Sequence, residues 1–152
     1  MSVYAATPPI EALRLILHIA ASNEGYKIVT NDVSRAYFMP QLRMGQFIYV
    51  KLPEEDILPG EENMCERLNF SMYGTRRAAT NWQAHYTKVF VQSALGEGFA
   101  SNCRFYKLQC TIDCMAHADD FISLGIAIKL FNFVLRLIQH GIEIEVDFRH
   151  PE

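Results

Sequence analysis

The sequence lacks a long apolar run, a basic leader and a net positive charge. The longest apolar stretches, 13–21 and 121–128, are too short for a bilayer and carry polar breaks, so we expect no membrane span. The N-terminus has no basic segment leading to a cleavage-type end, which argues against a signal peptide. The net charge of −3 provides no general polyanion-binding surface, so any nucleic-acid interaction must rest on local geometry.

Charged residues and paired cysteines are also scarce. Only 20% of the 152 residues are charged, which is low for a free-standing soluble protein, whereas half are hydrophobic and suffice for one core. No C-x-x-C pair and no matching histidine cluster is present, which argues against a zinc site. We therefore expect reduced core thiols in an intracellular, cytoplasmic protein. The cysteines are Cys65, Cys103, Cys110 and Cys114.

Hydrophobic periodicity predicts both helices and strands. Thr7-Pro8-Pro9 is typical of a helix start, with a capping hydroxyl followed by proline. Strands joined partly by hairpins, with crossing helices, predict an α+β domain with a mainly antiparallel sheet and helices packed on one face. The predicted helices cover 10–23, 77–95 and 127–140, and the predicted strands cover 26–33, 47–52, 99–108, 111–117, 121–124 and 142–147.

Three aspartates are the first candidates for chemistry. Asp119 and Asp120 are adjacent at a predicted turn, and Asp32 ends a strand far upstream. If the two strands are neighbours in one sheet, the carboxylates converge and suit Mg²⁺, which prefers oxygen ligands. Two such ions, bound side by side, catalyse nucleotidyl transfer. The spacing alone is weak evidence for a metal site, and the alternative is an ordinary hairpin whose aspartates favour turn conformations.

Four segments, in order along the chain, resemble the reverse transcriptases of copia-type retrotransposons and, through them, the retroviral polymerase palm. "ATPPIEALRLILHIAAS" is similar to the helix before the first catalytic strand. "NDVSRAYFMPQLRMGQFIYVKLP" is similar to the D-V-x-x-A-[FY] motif and the strand that follows it. "CERLNFSMYGTRRAATNW" resembles the block C-x-L-x-x-S-L-Y-G-L-K-Q-A-P-R-A-W, and "HADD" stands where the family has Y-V-D-D.

The resemblance implies a polymerase-palm-like fold and RNA-directed DNA synthesis with Mg²⁺ or Mn²⁺. It makes Asp32, Asp119 and Asp120 the catalytic metal ligands. The implied partners are an RNA or DNA template-primer and a dNTP.

The resemblance also implies substrate contacts for four further residues. Tyr37 falls where an aromatic ring lies under the incoming sugar and would clash with a ribose 2′-hydroxyl. Gly74 falls where the backbone closely approaches the template-primer or nucleotide, and Arg76 and Arg77 are placed to meet phosphates. The alternatives are that Tyr37 packs in the core, that Gly74 only forms a turn, and that the two arginines lie at a solvated helix start. Trp82 is expected in the core.

Several departures from the family pattern favour a second interpretation. His117 replaces a tyrosine, Ala79 a proline, Thr80 an arginine and Arg77 a glutamine. We expect residues 1–152 to be a partial reverse transcriptase domain, a palm with a remnant of the fingers and without thumb or RNase H, weakly active or inactive in isolation. The alternatives are a non-catalytic remnant that acts through protein contacts, with self-association through exposed apolar surface, and a ferredoxin-like binding module.

Overall fold

A computed structural model describes residues 5–99, 101–107 and 111–145. Within them, three helices and a mainly antiparallel set of strands confirm the α+β class. None of these helices has the length and apolar content needed to cross a bilayer. The helices are α1 (Ile10–Ser22), α2 (Ala78–Gln92) and α3 (Ala127–Gln139), and the strands are β1 (Tyr26–Val33), β2 (Tyr49–Lys51), β3 (Cys65–Arg67), β4 (Gly96–Glu97), β5 (Arg104–Lys107), β6 (Ile112–His117), β7 (Asp120–Ile126) and β8 (Ile144–Glu145).

The main sheet has the strand order β4-β5-β6-β7-β1-β8, and every pairing in it is antiparallel. β6 and β7 form a hairpin with a two-residue turn at Ala118 and Asp119. β1 lies beside β7 over its full length up to Asp32. This order places the end of β1 next to the β6–β7 turn. β2 and β3 form a separate two-stranded ribbon.

One face of the main sheet is covered by α2 and α3 over an aromatic core. Phe90 of α2 lies edge-on to Phe105 of β5 and Phe121 of β7, with ring centroids 4.8 and 4.9 Å apart, and Phe133 of α3 joins it at 5.8 Å. All four rings are buried. Each such side chain stabilises the fold by about 1.5–3 kcal/mol, so this face supplies much of the stability.

The position of α1 differs from the expectation that the helices lie on one face. Ile16 of α1 is fully buried in a second cluster with Leu124, which faces Ile28 across the β1–β7 pair. Because side chains alternate along a strand, Leu124 lies on the opposite face from Phe121. β7 is apolar on both faces, and the sheet is therefore covered on both.

Most predicted elements are confirmed, with local corrections. β1 has its predicted bounds, and the three helices agree within a few residues. Thr7 is not the helix cap, because α1 begins only at Ile10 and Pro9 occupies the cap position without a side-chain bond. The predicted strands at 47–52 and 99–108 shorten to β2 and β5. Residues 100, 108 and 146–147 of the predicted strands, and Cys110, lie outside the described residues.

Candidate active site

The strand register brings the three predicted aspartates to one end of the sheet. Asp32 at the end of β1 is paired directly with Asp120 at the start of β7. Side chains paired in this way have their Cβ atoms about 4.5–5.5 Å apart on the same face. Asp119 lies in the adjoining turn, and its carbonyl accepts a 3.0 Å hydrogen bond from the Val33 amide. Carboxylates distant in sequence are thus neighbours in space.

A fourth acid, Glu145, joins this row, although no sequence motif marks it as a site residue. β8 pairs with the other edge of β1 and sets Glu145 opposite Asp32. Its Oε1 accepts a 2.6 Å hydrogen bond from the Ser34 hydroxyl. The available signal was the alternation of glutamates with isoleucines near the C-terminus, which indicated only a solvent-facing side of a strand.

The electrostatics of the site follow from this crowding. The pKa of Asp32 is raised above its usual value, first by a slight loss of hydration at this largely exposed carboxyl and then by the negative charges of Asp119, Asp120 and Glu145. The nearest basic side chain in the sequence, that of Arg35, forms a 2.9 Å ion pair with Glu143 instead. Ionising all the acids therefore costs the folded state free energy.

The donor set fits a hard divalent cation in its chemistry. It consists entirely of carboxylate oxygens, the ligands that Mg²⁺ prefers, and it carries negative charge that a cation would offset. In the described ranges, no three His, Cys, Asp or Glu side chains converge into a ready-made metal cage. The backbone therefore gathers the acids without bringing their oxygens to coordinating positions.

Tyr37 lies near Asp119, and Gly74 directly follows Tyr73, which contacts the Tyr37 ring. The Tyr37 ring is partly buried and lies edge-on to Tyr73, with 4.6 Å between centroids. The pKa of Tyr37 is raised by burial, then by the charge of Asp119 and by Tyr73. Gly74 has φ +81°, a conformation that favours glycine, and a Cβ added there would meet only open space. The conformation supports a turn glycine.

Arg76 and Arg77 are not brought into contact with the aspartates. Both are exposed just before α2 and line an open cleft of about 300 Å³ with residues 45–48. Neither forms an ion pair within the described part of the chain. Their guanidinium groups are therefore available to an external anion, and the predicted phosphate contact stays a prediction.

The turn that carries Asp119 is tied to the core by Trp82. The indole is 1% exposed, as the sequence predicted, and stacks on Phe121 with 6.1 Å between centroids. Its Nε1–H donates a 2.7 Å hydrogen bond to the carbonyl of Ala118. No pattern in the sequence indicated this second role.

The antiparallel sheet, with acids from two neighbouring strands at one end, is the arrangement expected of a polymerase palm. Residues 2–132 match the family described as reverse transcriptase (RNA-dependent DNA polymerase), and the chain belongs to that family. It is also similar to the retrovirus-related Pol polyprotein from transposon TNT 1-94 of Nicotiana tabacum, at 23% identity over 126 residues. That alignment covers 81% of this chain and 9% of the polyprotein. The resemblance to copia-type reverse transcriptases is thereby confirmed.

Proposed function

We propose that this chain is the palm of an RNA-directed DNA polymerase and that Asp32, Asp119 and Asp120 hold divalent cations, Mg²⁺ or Mn²⁺. The observation that carries the proposal is the register of β1 and β7. It pairs Asp32 with Asp120 and sets Asp119 in the adjoining turn, within a chain of the reverse transcriptase family. The partners are an RNA or DNA template-primer and a dNTP.

The proposed roles of the residues follow from their positions. When bound, the cations would help a primer 3′-hydroxyl to attack and would stabilise the pyrophosphate that leaves. The carboxylates fix where positive charge can accumulate, at the end of β1 and the start of β7. Tyr37, beside Asp119, supplies the ring that excludes a ribose 2′-hydroxyl, and Gly74 leaves the backbone open to a nucleotide.

The isolated chain is expected to extend primers weakly. Its net charge is −3, and phosphate contacts supply most of the affinity of proteins for nucleic acids. In a primer-extension assay we expect little dNTP incorporation. Robust incorporation that is abolished by Asp119→Asn would prove this expectation wrong while supporting the active site.

Metal binding provides the direct test of the site. Mn²⁺ at a hundred times its dissociation constant should stabilise the chain by about 2.7 kcal/mol, which corresponds to a Tm increase of about 5–11 °C for a domain of this size. Asp32→Asn combined with Asp119→Asn should abolish the increase. Asp56→Asn, a change of the same kind in an exposed acidic turn, should preserve it. An increase that survives in the double variant, or its absence from the wild type, would overturn the proposal.

A second candidate function, self-association without catalysis, is favoured by one face of α3. Four large apolar side chains on that face are exposed by 40–63%, although the helix also has a buried face. Their spacing alternates between three and four residues, as in a coiled-coil seam. They are Ile128, Phe131, Leu135 and Ile138.

Sedimentation velocity tests this second function. If the α3 face mediates self-association, the wild type should dimerise, and Phe131→Glu should produce a monomer. Asn132→Glu, on the neighbouring exposed position, should leave the dimer intact. A monomeric wild type, or equal effects of the two variants, would exclude the α3 seam as the interface.

A further inference from the structure

We propose that Trp82 is a positioning residue for Asp119, acting through the peptide group that precedes this aspartate. The inference rests on the proposed function, because it assigns how one of the metal ligands is held. The indole Nε1–H donates to the carbonyl of Ala118 at 2.7 Å. That carbonyl belongs to the same peptide plane as the Asp119 amide nitrogen, so the hydrogen bond fixes the plane that enters Asp119.

The peptide plane that leaves Asp119 is held as well. The Asp119 carbonyl accepts the Val33 amide at 3.0 Å, one residue beyond Asp32 on β1. The two peptide planes that flank the Asp119 Cα are thus tied to different elements, one to α2 through Trp82 and the other to β1. Since only two dihedral angles separate the planes, the direction of the Asp119 Cα–Cβ bond is set relative to β1, which carries Asp32.

The backbone at Ala118 adopts a conformation that its surroundings must enforce. Ala118 has φ 54°, in the left-handed region that residues with a Cβ rarely adopt. A conformation of this kind persists only where the surroundings enforce it. The β6–β7 pairing closes the turn in this conformation, and the hydrogen bond from Trp82 adds a contact from α2 to the Ala118 carbonyl.

The indole can act as a fixed donor because its own position is determined on several sides. It is 1% exposed and nearly parallel to Phe121, at an interplanar angle of 12°. His85 stacks on it at 5.7 Å, and Tyr86 meets it edge-on at 5.5 Å. A side chain packed in this way loses little further entropy when it donates a hydrogen bond, so the tether is preorganised.

The test compares Trp82→Phe, which keeps an aromatic ring and removes the donor, with Phe90→Leu, which disturbs the same core without touching the turn. Loss of one hydrogen bond corresponds to about a tenfold change in an equilibrium constant. We expect Trp82→Phe to weaken Mn²⁺ binding about tenfold and to speed hydrogen exchange of the Val33 amide. Phe90→Leu should lower stability while leaving the Mn²⁺ affinity of the folded chain unchanged.

A measurement on the wild type covers the case in which Trp82→Phe does not fold. Trp82 is the sole tryptophan of the sequence, so its indole N–H gives a single NMR resonance. We expect this proton to exchange slowly and its resonance to shift when Mg²⁺ is added, but not in Asp119→Asn. A rapidly exchanging indole proton, or a Trp82→Phe variant with wild-type Mn²⁺ affinity and Val33 exchange, would overturn the positioning role. A wild type that binds no Mn²⁺ would instead refute the proposed function, and the exchange measurements would still decide the role of Trp82.

Discussion

Replacing Asn31 by leucine should stabilise the fold, although Asn31 directly precedes Asp32. Asn31 is 2% exposed, and within the described residues neither its Oδ1 nor its Nδ2 has a hydrogen-bond partner. Its partner across the strand pair is Phe121 of the aromatic core. A buried polar group without a partner costs about 1–3 kcal/mol. Leucine has the same branched shape and no polar atoms, so we expect Asn31→Leu to raise the free energy of unfolding by about 2 kcal/mol.

Asn81 provides a matched control, because it is equally buried but bonded. Its Nδ2 donates to the Ser71 hydroxyl at 2.9 Å and to Gln46 Oε1 at 3.2 Å. Ser71 is itself buried, so Asn81→Leu would leave its hydroxyl without this partner. We expect Asn81→Leu to lower the free energy of unfolding by about 1–3 kcal/mol. The same substitution should thus have opposite signs at the two positions.

Urea unfolding monitored by circular dichroism measures both changes, with equal m-values as the condition for comparing midpoints. For a domain of this size, a gain of about 2 kcal/mol corresponds to a Tm increase of about 4–8 °C. A loss of stability in Asn31→Leu would show that the Asn31 amide is hydrogen-bonded in solution, and the reasoning from its unpaired atoms would be refuted.

Three further outcomes follow from the charges and thiols. Without metal, Asp32→Asn should stabilise the chain slightly at pH 7, because the raised pKa of Asp32 makes its ionised form unfavourable, although water screens this exposed carboxylate. In urea titrations at different pH values, this gain should disappear as the pH falls through the raised pKa, and a gain that does not change with pH would contradict the reasoning. Burial raises the pKa of the Cys114 thiol to about 12, so iodoacetamide should modify Cys114 only after unfolding, whereas it should modify the exposed Cys65 in the folded chain. Mass spectrometry measures both modifications, and labelling of Cys114 in the folded chain would contradict the expectation. Asp113→Asn should lower the free energy of unfolding by about 2 kcal/mol, because it breaks a largely buried ion pair with Arg104. An unchanged urea midpoint would refute this expected loss of stability.

The elements with strong periodicity could be predicted from the sequence. α1 and α3 have apolar residues at helical spacing, and β1 is bounded by Gly25 and by the start of the next turn, so their limits follow from local patterns. β3 and β4 could not be predicted in this way. β3 is exposed throughout and is defined by pairing with β2, and β4 consists of only two residues.

The three aspartates could be selected from the sequence as candidates, but their arrangement in space could not be predicted. A sequence does not state which strands are neighbours, and only the register of β1 and β7 pairs Asp32 with Asp120. The position of Glu145 could not be predicted either, because it depends on the pairing of the short strand β8 with the other edge of β1. The hydrogen bond from Trp82 depends on how α2 lies over the turn, which no local pattern specifies.

The arrangement of the sheet explains how the fold tolerates its row of acids. The Asp32–Asp120 pair lies on the face opposite the aromatic core, at the end of the strands, where both side chains are exposed. Water there screens the repulsion, while the buried rings on the other face supply stability. Trp82 belongs to both parts, since its ring packs in the core and its N–H bonds the turn that carries Asp119. The packing that stabilises the domain therefore also holds the acids together against their mutual repulsion.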